Sequence, residues 1–80
     1  MRIEIAMRRK PAASPAVLSY GYELRSRTLE IQYTNGSVYR YYPVPPEIYQ
    51  ELTEQAAIGA YVNYYIKPYF KCREVRRRSA

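Results

Sequence analysis

A catalytic site in a chain of 80 residues would need a nucleophile, a base or a set of metal ligands, and this sequence is short of all three. It has no His and no Asp, its acids are seven Glu, and its one thiol is Cys72. Serine and cysteine nucleophiles need a positioned base, usually His, and none is present. Cys72 lies between Lys71 and Arg73, a setting in which a thiol gains reactivity; the plainer reading is an incidental thiol near the end of the chain. One Cys cannot form an internal disulfide, and without His or Asp it lacks zinc partners. The Glu residues sit where ordinary surface charges sit. These residues point to a non-enzyme with no cofactor and no metal, in a reducing, cytoplasmic setting. Ile3, Ile5 and Ala6 are broken by Glu4 and form no secretory signal. No apolar stretch approaches the roughly 20 residues that span a bilayer.

What the chain does have is tyrosine and cationic charge. Eleven of its aromatics are Tyr against one Phe, and 13 Lys+Arg face 7 Asp+Glu for a net charge of +6. The cations gather at the ends. Residues 1–15 hold Arg2, Arg8, Arg9 and Lys10 against Glu4, and residues 71–80 hold Lys71, Arg73, Arg76, Arg77 and Arg78 against Glu74. The middle is nearly balanced. Basic ends attract polyanions by counterion release, and solubilising tails have the same composition.

The elements that must position these residues follow from periodicity. Residues 1–15 read as a basic flexible segment, interrupted by Pro11 and Pro15. A strand runs from about Ala16 to Glu23 with Leu18, Tyr20 and Tyr22 on one face. Thr28 to Tyr33 alternates, with Leu29, Ile31 and Tyr33 facing inward. Asn35-Gly36 between alternating runs marks a hairpin, and Ser37 to Val44 forms the third strand. A two-residue loop would put Arg40 on the core face opposite Ile31. A three-residue loop with Gly36 left-handed pairs Glu30 with Arg40, Ile31 with Tyr39 and Leu29 with Tyr41. The second register pairs a charge rather than burying one and is the expected one. Pro46 and Glu47 open a helix over 47–57 with the stripe Ile48, Tyr49, Leu52 and Ala56. A second helix spans Ala60 to Lys67 with Tyr61, Val62, Tyr65 and Ile66 inward, and Pro68 ends it. Residues 71–80 read as a frayed basic tail. The fold class is α+β: a three-stranded antiparallel β-meander followed by two helices packed on one face.

The ordered set Gly21-Tyr22-Glu23, Thr28 to Tyr33, Gly36 to Tyr41 and Val44-Pro45 resembles the KTSC domain. That family is named for a C-terminal extension of some lysyl-tRNA synthetases and also occurs as small bacterial and phage proteins. Its Tyr-x-Tyr mark is matched by Tyr39-Arg40-Tyr41, and Gly59 to Asn63 with Ile66 looks like its closing helix. The likeness spans roughly residues 14–69, so the domain proper is taken as 16–70. Ala57 departs from it, standing where a small hydroxyl residue is expected. The resemblance implies no enzyme activity; RNA binding has been suggested through the association with the synthetase. Gly21, Tyr22, Gly36, Tyr39, Tyr41, Pro45, Gly59 and Asn63 are expected to be structural, with Asn63 either on the surface or bonding the turn at Gly59.

Two functions remain open. The first is a small module that contacts RNA or other nucleic acid, with phosphates held by Arg8, Arg9, Lys10, Arg76, Arg77 and Arg78. Further contacts would come from Arg25, Arg27 and Arg40 on the sheet, and Tyr42 would stack on a base. The second is a protein–protein adaptor, of the kind a phage or mobile element encodes to act on a host protein, working through surface Tyr and Arg. A monomer and an edge-paired dimer are both compatible with the sequence, and nothing in it indicates a membrane partner.

Overall fold

The structure, a computed structural model, describes residues 9–12 and 14–76. Strands β1 (Lys10–Pro11), β2 (Val17–Glu23), β3 (Thr28–Tyr33) and β4 (Val38–Tyr42) precede helix α1 (Pro46–Thr53). Helix α2 (Ile58–Tyr61) continues as a π-helical segment (Val62–Ile66), and strand β5 (Lys71–Arg76) closes the described chain. The sheet is five-stranded and antiparallel in the order β1-β2-β3-β4-β5.

The class is α+β as expected, but the sheet is wider than a three-stranded meander. Lys10-Pro11, read as linker, pairs with Tyr20 and Ser19. Lys71–Arg76, read as frayed, pairs along β4 from Tyr42 to Val38. Both added strands are rich in cations, and β1 has only two residues, which is how sheet edges commonly look; neither shows the apolar alternation that marks a strand in sequence.

The hairpin takes the three-residue loop. Gly36 has φ 96°, a region that favours glycine. The Gly36 amide donates to the Tyr33 carbonyl (2.9 Å) and the Tyr33 amide to the Ser37 carbonyl (2.8 Å). The Asn35 Oδ1 accepts from the Ser37 amide at 2.9 Å. The register is therefore Leu29–Tyr41, Glu30–Arg40 and Ile31–Tyr39. On the outer face Glu30 is 5 % exposed. Its carboxylate takes Arg40 Nε at 2.8 Å on Oε1 and Arg9 Nη1 at 3.0 Å on Oε2. Gly21 is the β2 partner of Glu30 and has no side chain to fill the space above it. Continuing the β1–β2 register by one residue carries Arg9 to this glycine, so its guanidinium crosses to the central strand.

The opposite face carries the core: Val17, Leu29, Ile31, Val44, Leu52 and Ile66 are fully buried. Tyr20, Tyr41 and Tyr61 join them, with Tyr22, Tyr33, Tyr39 and Tyr49 packed half-buried against the cluster. Tyr22 stacks on Tyr49 (4.6 Å between centroids, 10° between planes) and donates its hydroxyl to the Val44 carbonyl.

Three inward assignments are corrected. Leu18 is exposed while Val17 is buried, because a bulge between Val17 and Ser19 shifts the register and turns the pleat over locally. Ala56 is exposed, because α1 ends at Thr53, where the Thr53 hydroxyl donates to the Gln50 carbonyl. Tyr65 is exposed, because in π-helical winding the residue five positions on comes to the same side. Ile66, five after Tyr61, thus takes the buried place. Among the described residues no helix is long and apolar enough to cross a membrane.

Replacing Glu30 leaves two guanidiniums without their carboxylate. Glu30→Gln is expected to lose about 2 kcal/mol of stability, below the fully buried case because both arginines keep some solvent. The measurement is a urea unfolding midpoint beside that of Lys10→Gln, a surface change expected within about 0.5 kcal/mol of the parent. Equal midpoints for the two variants would contradict the role assigned to Glu30.

Candidate functional site

Tyr33 ends β3, while Tyr39 and Tyr41 alternate along β4 on the helix side of the sheet. Past the end of the π-helical segment a cleft of about 710 Å³ opens beside the partly exposed Tyr33 and Tyr39, with the buried Tyr41 at its wall. Its walls include Tyr33, Tyr39, Tyr41, Asn35, Lys67 and Cys72. Tyr33 and Tyr39 meet edge to face (5.9 Å, 75°), and Tyr39 and Tyr41 lie tilted at 6.5 Å. The hydroxyls of Tyr33 and Tyr41 are 2.7 Å apart. Lys67 Nζ stands 5.1 Å from the centre of the Tyr33 ring, a cation–π contact. Cys72, the β5 partner of Tyr41, presents an exposed thiol at the same wall. Burial pushes the Tyr33 hydroxyl well above its ordinary range, helped by the bond to Tyr41, and burial also raises Tyr41.

The chain from Tyr64 to Arg73, the rim, adjoins the cleft through Lys67 and Cys72. Tyr64, Tyr65 and Tyr69 are 70, 57 and 73 % exposed, and Lys67, Lys71 and Arg73 are exposed among them. No acid occurs between Glu54 and Glu74. On the outer face of the same edge Lys71 pairs with Tyr42 and Arg73 with Arg40. Aromatic faces and cations interleaved without carboxylates can stack on planar groups and attract anions.

The residues expected to hold phosphates are not gathered into one site. Arg8, Arg77 and Arg78 lie outside the described residues, and of Arg76 the position at the end of β5 is described. Arg9 and Arg40 are committed to Glu30, because a carboxylate buried at the sheet centre must be paired; they are framework rather than free contacts. Lys10 is exposed on β1. Arg25 and Arg27 are exposed in the β2–β3 turn, away from the cleft's lining; Arg27 has φ 53°, and its carbonyl accepts the Val44 amide. Tyr42 is exposed on the outer face, as expected. Of the residues expected to be structural, Gly21, Tyr22, Gly36 and Tyr41 have the roles described above. Pro45 precedes α1 as its N-cap. Gly59 lies against Ser14, whose Oγ would be 3.0 Å from an added Cβ. Asn63 is exposed. Ala57 caps α2 with no side-chain bond, as its departure from the family pattern implied. Tyr39, expected to fill core, also lines the cleft. Lys67 and Tyr69 carried no assignment; the acid-free Tyr/Lys/Arg run from 64 to 73 was the signal that points to them.

The sequence pattern of the KTSC domain matches residues 13–70. The chain belongs to the KTSC domain family. A crystal structure of a KTSC domain protein from Yersinia pestis superimposes with a TM-score of 0.82 and 36% sequence identity, over 89% of this chain and 100% of that one. A protein of Tsukamurella paurometabola is 36% identical over 62 residues, covering 78% of this chain and 92% of its own. A lysine–tRNA ligase of Nostoc punctiforme is 35% identical over 66 residues, 82% of this chain but only 12% of that protein. In this KTSC domain the Tyr-x-Tyr of the family is Tyr39-Arg40-Tyr41, whose two tyrosines wall the cleft while Arg40 points to the other face and pairs with Glu30.

Tyr61 is held up to about 12 by burial and by its hydrogen bond to Glu51 (2.8 Å). Tyr22, Tyr33, Tyr41 and Tyr49 are also raised, burial leading in each. Since an unfolded tyrosine ionises near 10, this stabilisation is complete below pH 10 and is lost as pH rises towards 12. Absorbance at 295 nm should show a late-ionising group of tyrosines whose transition coincides with loss of folded circular dichroism. Completion of all tyrosine ionisation before any unfolding would contradict the assignment.

Proposed function

We propose that this KTSC domain is a non-enzymatic module that binds single-stranded RNA with little sequence preference. The observation that carries this reading is the exposure of Tyr64, Tyr65 and Tyr69 on a segment that bears Lys67, Lys71 and Arg73 and no acid. Large aromatic side chains left in water at the edge of a small domain mark a contact surface. Bases stack on such rings whatever their identity, and cations between the rings meet the backbone. The framework role of Arg9 and Arg40 shifts the expected phosphate contacts from the sheet centre to Lys67, Lys71, Arg73 and the chain ends. The lysine–tRNA ligases that share the domain favour RNA over other polyanions in this reading. Among the described residues, Tyr64, Tyr65, Tyr69, Lys67, Lys71 and Arg73 offer stacking faces and charge rather than a directed hydrogen-bonding surface for reading a sequence of bases.

The test is fluorescence anisotropy of the full chain with a labelled unstructured RNA. Affinity should fall as salt rises from about 50 to 200 mM, with a slope set by the number of phosphates met. Tyr64→Ala with Tyr69→Ala should weaken binding by about thirtyfold or more, from two stacked bases at about 1–3 kcal/mol each, with folding unchanged because both side chains are exposed. Binding that ignores salt, or a double variant that binds like the parent, would overturn the reading. A protein retained from nuclease-treated lysate, with no RNA affinity, would favour an adaptor instead.

A further inference from the structure

Stacking on the rim leaves the cleft unused, and its construction points further. A volume of about 710 Å³ is within the usual range for pockets that hold a small organic group. Tyr33, Tyr39 and Tyr41 line it; Tyr33 and Tyr39 are partly exposed there, while Tyr41 is buried and takes part through its hydroxyl pair with Tyr33. In the Tyr33–Tyr41 pair one hydroxyl proton is used between the two oxygens, which leaves one further donor and free lone pairs facing a ligand. The Asn35 side chain spends its oxygen on the Ser37 amide and keeps two N–H donors. Lys67 stands over the Tyr33 ring at the wall, and among the described residues no carboxylate lines the cleft. Glu74, the partner of Tyr39, places an acid at the β5 edge, so an anionic group fits at the Lys67 end. Flat π surfaces, a few hydroxyl and amide groups, and one cation at one end together suit a planar heterocycle attached to a phosphate.

We propose that the cleft over Tyr33, Tyr39 and Tyr41 is a pocket for one unpaired nucleobase of the bound strand, with Lys67 meeting the adjoining phosphate. This rests on the RNA reading above and deepens it: the rim stacks bases as they pass, whereas the cleft takes one base out of the strand. The hydroxyl pair, with both donor and acceptor capacity, accepts the edge of more than one base, in keeping with low sequence preference.

Cys72 supplies the test, being the chain's only thiol, exposed, and part of the cleft wall. Alkylation of the full chain by iodoacetamide is followed by mass spectrometry in three states: free, saturated with an unstructured RNA octamer, and saturated with an octamer of the same charge that lacks bases. A base in the cleft shields the thiol, so RNA should slow alkylation by about tenfold while the abasic strand slows it less than about twofold, the difference being one inserted base. If RNA binds and Cys72 reacts at its free rate, the pocket is refuted and the rim reading stands. If the abasic strand protects as well as RNA, the backbone merely crosses the thiol and the pocket is refuted. If RNA does not bind at all, both proposals fall together.

Discussion

Everything on the helix side of this domain depends on one pairing on the other side, Glu30 with Arg40 at the centre of the sheet. In a strand the side chains alternate, so fixing one residue fixes the face of every neighbour. With Glu30 and Arg40 outward, Leu29, Ile31, Tyr39 and Tyr41 face the helices. A slip of one residue would bury a guanidinium and expose two tyrosines. Gly36, the one residue of the loop with positive φ, supplies the local geometry, and the ion pair supplies the penalty against the alternative. Gly21 is the β2 partner of Glu30 at this point, and Arg9 reaches the second carboxylate oxygen from the β1 side.

The same constraint explains why tyrosine carries both packing and the candidate site. A two-layer domain of this size has little depth, so most inward side chains reach the rim. Tyrosine suits such positions because its ring packs and its hydroxyl finds a partner or water. Near α1 those partners lie within the fold, as with Tyr22 on Val44 and Tyr61 on Glu51. Past the end of the helical segment, Tyr33 lies under Lys67 and, with Tyr39 and Tyr41, lines the cleft. The cleft lies between the β3–β4 loop, the segment before β2, Lys67 just after the π-helical segment, and Cys72 on β5.

The central hairpin was legible to the residue, because Asn35-Gly36 and the charge pattern of β3 and β4 constrain it together. The family was legible for the same reason, its mark being built into that hairpin. The edge strands were not: Lys10-Pro11 and Lys71–Arg76 have linker-like, charged sequences and acquire strand geometry only by pairing with β2 and β4. The bulge at Val17–Ser19 and the π-helical turn each shift a face by one residue, and both answer to tertiary packing rather than to local propensity. Charge alone does not separate free from committed arginines: Arg9 and Arg40 are spent on one buried carboxylate, which only the sheet register brings together. The exposure of Tyr65 and Tyr69 is likewise set by the fold rather than by helical periodicity.

The central claim is that the tyrosine-lined end of the sheet and the adjoining rim form one RNA-binding surface. Photocrosslinking of a 4-thiouridine-substituted single strand to the full chain, with the attached peptides mapped by mass spectrometry, tests it most directly. Crosslinks in the segments 33–41 and 64–73 are the result expected from this account. Crosslinks confined to residues 1–10 and 77–80 would contradict it, reducing any RNA affinity to attraction by the basic ends.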